Sequence, residues 1–301
     1  MRRCAGLTLV EILVAMTLVL VVIAGSTTFI TRGRAVHRTS ESIARLEEAL
    51  DAALALLVDE IRLAGYLGLA APRSLVDGAS ALGRPERADL VVAGSCGPSL
   101  AHDLAVPIGV VDGAYAAAPG LAIGCRPSPD GRAIANADTL VIRHAGAGAV
   151  PAQAGRLQLE TNLRSAALSA NGSATLGPDA RRHDLEVGIY YVSRDATGRR
   201  DWPSLRRKRL VGGTRPAFQD EELVSGIADL QIMLGLDDPA DADTAIDRWI
   251  RPGEPMNGAT PRALRIELEA KSDVPERDQP GQTRSKRVSR VVELRNAGAS
   301  S

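Results

Sequence analysis

The feature that most constrains this chain is an uncharged apolar run near its N-terminus. The run covers twenty residues from Ile12 to Thr31, and one glutamate, Glu11, precedes it. At about 1.5 Å per residue, a helix of this length spans about 30 Å, the thickness of the hydrocarbon core of a bilayer. A carboxylate costs about 2.5–3.5 kcal/mol at the centre of a membrane helix and less near the interface. We therefore expect a membrane helix in which Glu11 lies at headgroup level or meets a positive partner.

The flanks of the run favour a membrane anchor over an ordinary cleaved signal peptide. A signal peptide has an apolar region of about 7–15 residues followed by a site such as Ala-x-Ala, and this run is longer and lacks such a site. Arg2 and Arg3 favour a cytoplasmic N-terminus, but Arg32, Arg34 and Arg38 flank the other end. Charge alone therefore does not fix the orientation.

The segment AGLTLVEILVAM resembles the type IV prepilin cleavage motif. In that motif a short basic leader ends in glycine, a peptidase cuts after the glycine, and the new N-terminus is methylated. The resemblance implies that Gly6 ends the leader, that Leu7 becomes the methylated N-terminus, and that Glu11 is the fifth mature residue. It further implies that Glu11 pairs with the N-terminal amine of a neighbouring subunit. The usual first mature residue in this motif is phenylalanine, and Leu7 departs from it. The departure concerns the expected methylation more than the expected cleavage.

Three cysteines occur in the sequence, and cleavage after Gly6 would remove Cys4. Cys96 and Cys125 would then remain as an even pair, which fits a disulfide in an oxidising compartment outside the cytoplasm. The alternative is two unrelated buried thiols. A disulfide favours a C-terminal part outside the cytoplasm and so an N-terminus inside it. Together with the prepilin resemblance this implies an inner-membrane protein whose C-terminal part lies in the periplasm.

A second helical pattern follows the apolar run. Apolar residues recur every three or four positions, which is typical of one buried helix face. They are Ile43, Leu46, Leu50, Leu54, Leu57, Ile61 and Ala64. Gly65, Gly68 and Pro72 end the pattern. Because the stripe lasts only about three heptads, we expect it to pack on a sheet rather than in a coiled coil.

The C-terminal part has strand patterns. ADLVVAG, ADTLVIRHA, LEVGIYYVS and SLRRKRLV predict strands, and Leu264, Ile266 and Leu268 alternate with charged residues in ALRIELEAK. The span from Gly155 to Arg182 is predicted to be a loop. One helix followed by many strands gives an α+β fold, in which a long N-terminal helix packs on an antiparallel sheet. The predicted divisions are residues 1–6 (leader), 7–31 (membrane helix), 32–65 (amphipathic continuation) and 66–301 (β-rich domain).

The later segments resemble the PilW-type minor pilins. They include EEALDAALALLVDEIRLAGYLG, YYVSRDATGRRDWPSLRRKRL, ELVSGIADLQIMLGLD and RVVELRN. This resemblance implies a pilin-like fold and a non-enzymatic role in priming type IV pilus assembly near the tip. The implied partners are major and minor pilins, the prepilin peptidase, the inner-membrane assembly platform and the lipid bilayer, and after assembly the chain would lie in the extracellular pilus. A pseudopilin of a type II secretion system is the alternative, and a membrane-anchored adhesin or DNA-binding module is a third.

Other chemistries have weaker support in the sequence. The net charge is zero, so no nucleic-acid partner is expected, and RRKRLVGGTR is interpreted as a solvated strand edge. No cofactor motif is present, and the four histidines lack metal-ligand spacing. Asp238, Asp241 and Asp243 lie in an acidic loop and are weak calcium candidates, because the glycine and distal glutamate of an EF-hand are missing.

Overall fold

The architecture comes from a computed structural model of the chain. It describes residues 9–69, 76–94, 96–97, 99–115, 124–128, 130–173, 176–238, 245–275 and 283–296. Gly6, Leu7 and Cys4 lie outside these residues, as do Asp241 and Asp243.

One long helix, α1, runs from Leu9 to Leu63 over 55 residues. No proline interrupts it, so the backbone hydrogen-bond ladder continues across the predicted boundary at residue 32. The helix is about 82 Å long at 1.5 Å per residue. It ends at Leu63, and Gly65 follows with a φ of 75°, a left-handed conformation that glycine adopts without a Cβ penalty. The sequence prediction of this single helix and of its end is confirmed.

Twelve strands follow within the described residues. They are β1 (Val76–Asp77), β2 (Ile108–Val111), β3 (Thr139–Ala145), β4 (Ala154–Thr161), β5 (Ala166–Asn171), β6 (Arg181–Ser193), β7 (Ser204–Val211), β8 (Ala217–Ser225), β9 (Ile227–Asp237), β10 (Arg248–Ile250), β11 (Thr260–Pro275) and β12 (Thr283–Glu293). Helix α1 followed by these strands confirms the α+β class.

The strands form two sheets. The larger has eight strands in the order β1-β5-β4-β6-β3-β2, with β7 paired to β6 and β8 paired to β7. The smaller has the order β10-β9-β11-β12. Among the described strands only β1 and β5 pair in parallel. Both sheets are therefore mainly antiparallel, as the alternating patterns predicted.

The main core lies between α1 and the two sheets. The helix contacts β11 and β12 of the smaller sheet, and β3 and β8 of the larger. Leu50, Leu57 and Ile61 are buried in the same cluster as Leu264 and Ile266 of β11. The apolar stripe of α1 thus packs on a sheet, as predicted. Burial of each such side chain stabilises the fold by about 1.5–3 kcal/mol relative to exposure.

Asp138 connects the two sheets just before β3. Its backbone N–H donates to Leu230 O at 2.8 Å, and its carboxylate accepts from Ile232 N at 2.7 Å; both partners lie on β9. The other carboxylate oxygen accepts from Gly113 N at 2.7 Å. Burial raises the pKa of this carboxyl to about 6 despite the two donors. One short acidic side chain therefore fixes β3 against β9.

Two predictions about local structure are wrong. Residues 155–182, predicted to be a loop, contain most of β4 and all of β5. The strands were missed because their buried positions include small residues such as Ala166 and Ala167 and only a few leucines. Two of these leucines, Leu157 and Leu159, are fully buried. The segment ADLVVAG forms no strand and contributes only an isolated bridge from Ala93 to Ala217.

Candidate assembly site

The first half of α1 presents an apolar surface that the rest of the chain does not cover. The large apolar side chains from Leu9 to Ile30 are exposed, with Phe29 at 80%. The helix is long and apolar enough to cross a membrane, with a mean hydropathy of 2.5 over its most apolar window and none of that window buried. Exposed apolar area of this extent marks contact with lipid or with other proteins.

Glu11 lies in the first turn of α1, at the start of this apolar surface. It shares one face with Ile12, Ala15, Val19 and Leu20. Free backbone N–H groups at a helix N-terminus favour a negative charge there. The carboxylate is exposed in the single chain. A charge on a surface suited to a low-dielectric environment can bind a cation of a second molecule.

Threonines in the apolar segment bond back to the helix. The hydroxyl of Thr17 donates to Val14 O at 2.8 Å, and that of Thr28 donates to Ala24 O at 2.8 Å. Thr31 donates to Thr27 O at 2.9 Å. These bonds satisfy the hydroxyl groups within the helix itself, which matters in hydrocarbon because no water is available as a partner.

A polar cluster that the sequence did not predict lies where α1 crosses the larger sheet. Glu60 Oε2 is 3.2 Å from His144 Nε2 on β3, and Glu60 Oε1 is 3.1 Å from Arg207 Nη1 on β7. Arg207 Nη1 also donates to Tyr190 OH on β6 at 3.4 Å. Three strands thereby converge on one glutamate of the helix.

The geometry of this cluster favours the charged forms of both Glu60 and His144. The other ring nitrogen of His144, Nδ1, lies 2.8 Å from Ala145 O, so both nitrogens face acceptors and an imidazolium satisfies both. Burial opposes the charge, but the contacts with Glu60 outweigh it and raise the pKa of His144. Burial likewise opposes ionisation of Glu60, yet His144 and Arg207 outweigh it and lower its pKa. Each partner therefore stabilises the charged form of the other.

The basic run of β7 is not a solvated edge, which corrects the sequence prediction. β7 lies between β6 and β8, and Arg206 and Lys208 are buried. Arg206 Nη2 is 2.6 Å and Lys208 Nζ is 3.1 Å from Asp220 of β8. On the other face Arg207 Nη2 is 2.6 Å from Glu221. The cations were misinterpreted because the acidic strand that neutralises them follows only later in the sequence.

A disulfide joins Cys96 to Cys125 and closes a separation of 29 residues. Cys96 is fully buried beside Val141 and Ile189, and Tyr115 OH lies 3.2 Å from Cys125 Sγ. In the chain-entropy model, a loop of this size stabilises the fold by about 3.6 kcal/mol. The bond compensates for the small size of the apolar cluster around it.

The acidic loop after β9 is only partly described. Asp238 N donates to Asp247 Oδ2 at 2.6 Å, and Asp237 is paired with Arg262 at 2.7 Å. The other calcium candidates, Asp241 and Asp243, lie outside the described residues. Within the residues that the structure describes, no group of three or more His, Cys, Asp or Glu side chains is arranged to hold a metal ion.

Two family models match the chain. Residues 189–289, about a third of the sequence, match the model described as Type IV Pilus-assembly protein W. Residues 1–27 match the prokaryotic N-terminal methylation motif. No curated protein and no solved structure matches. The matches confirm both resemblances noted in the sequence.

Proposed function

We propose that this chain, a type IV pilus-related pilin-like protein, is a minor pilin that takes part in pilus assembly near the tip of the fibre. The observation that carries the proposal is the methylation-motif match over residues 1–27, which extends into the uncovered apolar half of α1. These features fit an inner-membrane-anchored pilin. The match over residues 189–289 favours the pilus over a type II secretion pseudopilin. Because proteins of this kind are structural, we propose that the chain is not an enzyme.

The proposed mechanism centres on Glu11. Cleavage after Gly6 would create an α-amine at Leu7, and such an amine has an unperturbed pKa of about 7.7–8.0. The amine is therefore substantially protonated near neutral pH and can pair with a carboxylate. When the subunit leaves the bilayer, Glu11 docks to the amine of a neighbouring pilin and sets the register of the two helices. Its carboxylate then loses water but gains a charge partner, whereas an unpaired charge would be strongly disfavoured.

Each proposed partner acts at one step as the chain passes from the inner membrane to the fibre. The prepilin peptidase cuts and methylates the chain while it is held in the inner membrane, with the N-terminus in the cytoplasm and the β-rich domain in the periplasm. The assembly platform then moves it into a fibre that contains major and minor pilins, and it ends outside the cell. A chain that keeps Glu11 needs a neighbour above it, so we place it below the topmost subunit.

The test is complementation of a strain that lacks the gene. Glu11→Gln removes the charge and keeps the size, and we expect surface pili to fall at least about tenfold while the membrane-bound chain stays at wild-type amount. Glu48→Gln is the matched control, because Glu48 is an exposed glutamate on the same helix. Normal piliation with Glu11→Gln would contradict the docking role. Normal piliation in the deletion strain, with loss of protein secretion instead, would favour the pseudopilin alternative.

A further inference from the structure

The sequence contains two Asn-Gly pairs, Asn171-Gly172 and Asn257-Gly258. In such a pair the backbone nitrogen of the glycine can attack the side-chain amide carbon of the asparagine. A C–N bond forms and closes a five-membered succinimide ring, while the bond from the carbon to the amide nitrogen breaks and ammonia leaves with the proton of the glycine N–H. Water then opens the ring at either carbonyl, which gives aspartate or isoaspartate. Glycine favours the attack because no Cβ crowds its nitrogen and its backbone is permissive.

The first pair lies where two strands hold it. Asn171 ends β5 and pairs with Ala154 of β4. Its Oδ1 accepts from Ser173 N at 2.9 Å, which restrains the side-chain amide. A Cβ placed on Gly172 would lie 3.0 Å from Ala154 N, so the backbone of β4 also crowds this glycine. The succinimide ring can close here only after the end of the β4–β5 pair has opened.

The second pair lies in an exposed turn between β10 and β11. The φ angles of Asn257 and Gly258 are 52° and 86°, and Ala259 N donates to Met256 O at 3.0 Å, as in a type I′ turn. Neither the Asn257 side chain nor the Gly258 N–H forms a hydrogen bond with any described residue. Apart from the chain neighbours of Gly258, no described atom lies within 4 Å of the position that a Cβ there would take. Opening this one turn costs less free energy than separating paired strands.

We propose that Asn257 is a modification site, at which the folded chain deamidates spontaneously to a mixture of aspartate and isoaspartate. Water is the only co-reactant. Asn171, which has the same glycine neighbour, stays largely intact over the same time because β4 holds it. The proposal depends on the local structure of the two pairs and does not depend on the pilus role.

The modification changes both the charge and the backbone of the chain. The unmodified chain has zero net charge, and either product adds one carboxylate. Arg248 Nη2 donates to Met256 O at 2.7 Å, so a cation lies next to the turn in which the new charge forms. The isoaspartyl form also lengthens the backbone by one methylene group, three residues before β11 begins at Thr260. Aged chains therefore differ from new ones at the start of an inner strand of the smaller sheet.

The first test follows both asparagines in one sample of the full chain in detergent. The chain is incubated in warm, mildly alkaline buffer, and its peptides are analysed by mass spectrometry at intervals. We expect the Asn257 peptide to gain one mass unit at least about ten times faster than the Asn171 peptide. The chain unfolded in denaturant is the control, and there the two rates should be similar. Equal rates in the folded chain, or an equally large difference in the unfolded chain, would overturn the proposal.

The second test changes the reacting groups. Asn257→Gln keeps an amide but needs a six-membered ring, so the mass gain in this turn should disappear. Gly258→Ala places a Cβ beside the attacking nitrogen and should slow the reaction at least about tenfold. Gly253→Ala is the matched control, because Gly253 has nearly the same φ, 87°, in the same loop and also has open space at its Cβ position. It should leave the rate at Asn257 unchanged.

Two results of the second test would contradict the proposed route. They are an unchanged rate with Gly258→Ala, and a product that contains aspartate without isoaspartate. Either would mean that water hydrolyses the amide directly, without the attack by the Gly258 nitrogen. The pilus role would still stand, because it is tested separately by the piliation of the Glu11 variants.

Discussion

The carboxylate of Glu60 lies on the same face of α1 as the apolar residues that form the core. It is three residues after Leu57 and four before Ala64, so the helical period turns it toward the sheet. That spacing was available in the sequence, but the partners His144 and Arg207 could not be inferred from it. They come from strands that are far apart in the chain and meet only after the sheet has formed.

Glu60→Gln is expected to destabilise the folded chain. The change leaves His144 without the carboxylate beside it and leaves Arg207 with Glu221 as its remaining partner, in a half-buried site. We expect the free energy of unfolding to fall by about 2 kcal/mol, less than the 3–5 kcal/mol typical of a fully buried pair, because Glu60 is partly solvated. Thermal unfolding of the chain in detergent measures the change. Glu48→Gln, an exposed substitution on the same helix, should change the stability by less than about 0.5 kcal/mol.

The same pair predicts how stability depends on pH. The pKa of His144 is raised in the folded state, so its contribution is full below its ordinary value of 6.5 and is lost as pH rises through the folded pKa. The pKa of Glu60 is lowered, so its contribution is full above 4.5 and is lost as pH falls through the folded pKa. The pair therefore contributes most to the stability of the fold between pH 4.5 and pH 6.5.

His144→Gln should remove the alkaline part of this dependence. Melting temperatures recorded between about pH 4 and pH 9 should decline less above pH 6.5 in the variant than in the wild type. His37→Gln is the control, because His37 lies on an exposed part of α1. Parallel curves for wild type and His144→Gln above pH 6.5 would contradict a raised pKa of His144.

At the scale of elements, the sequence predicted the helix and the strands whose buried positions hold large apolar side chains. The apolar stripe of α1 and the alternation of Leu264, Ile266 and Leu268 each identify a buried face, and the structure has both. β4 and β5 were missed because polar residues in β4 and small residues in β5 occupy many of the buried positions, which gives a weak periodic signal. The pairing of the two sheets was also unpredictable, since it depends on Asp138, one acidic residue among 36.

Asp138→Ala is expected to loosen the junction between β3 and β9. The change leaves the N–H groups of Gly113 and Ile232 without their acceptor. At about 1–3 kcal/mol for each unsatisfied group, we expect a loss of about 2–6 kcal/mol. Hydrogen exchange should show faster exchange at Gly113 and Ile232, together with a lower melting temperature. Asp112→Ala, at an exposed neighbouring position, should leave both unchanged.

At the scale of the whole molecule, the sequence predicted an anchored helix followed by a β-rich domain, and the structure has that order. Composition gave zero net charge and so concealed how the charge is distributed. Folding pairs the basic run of β7 with Asp220 and Glu221 of β8, which follow it in the chain, and so neutralises these cations locally. Such pairing depends on strand order and register, which a residue count does not contain.

The continuity of α1 also determines how the molecule carries mechanical load. A pull on the apolar half is transmitted without a joint into the half that packs against β11 and β12. The helix lies along the domain from Ser42 to Ala64, so tension acts in shear, parallel to the interface. In that geometry many contacts resist together instead of separating one after another. Within the chain, α1 is thus the element that would transmit tension from the apolar half to the β-rich domain.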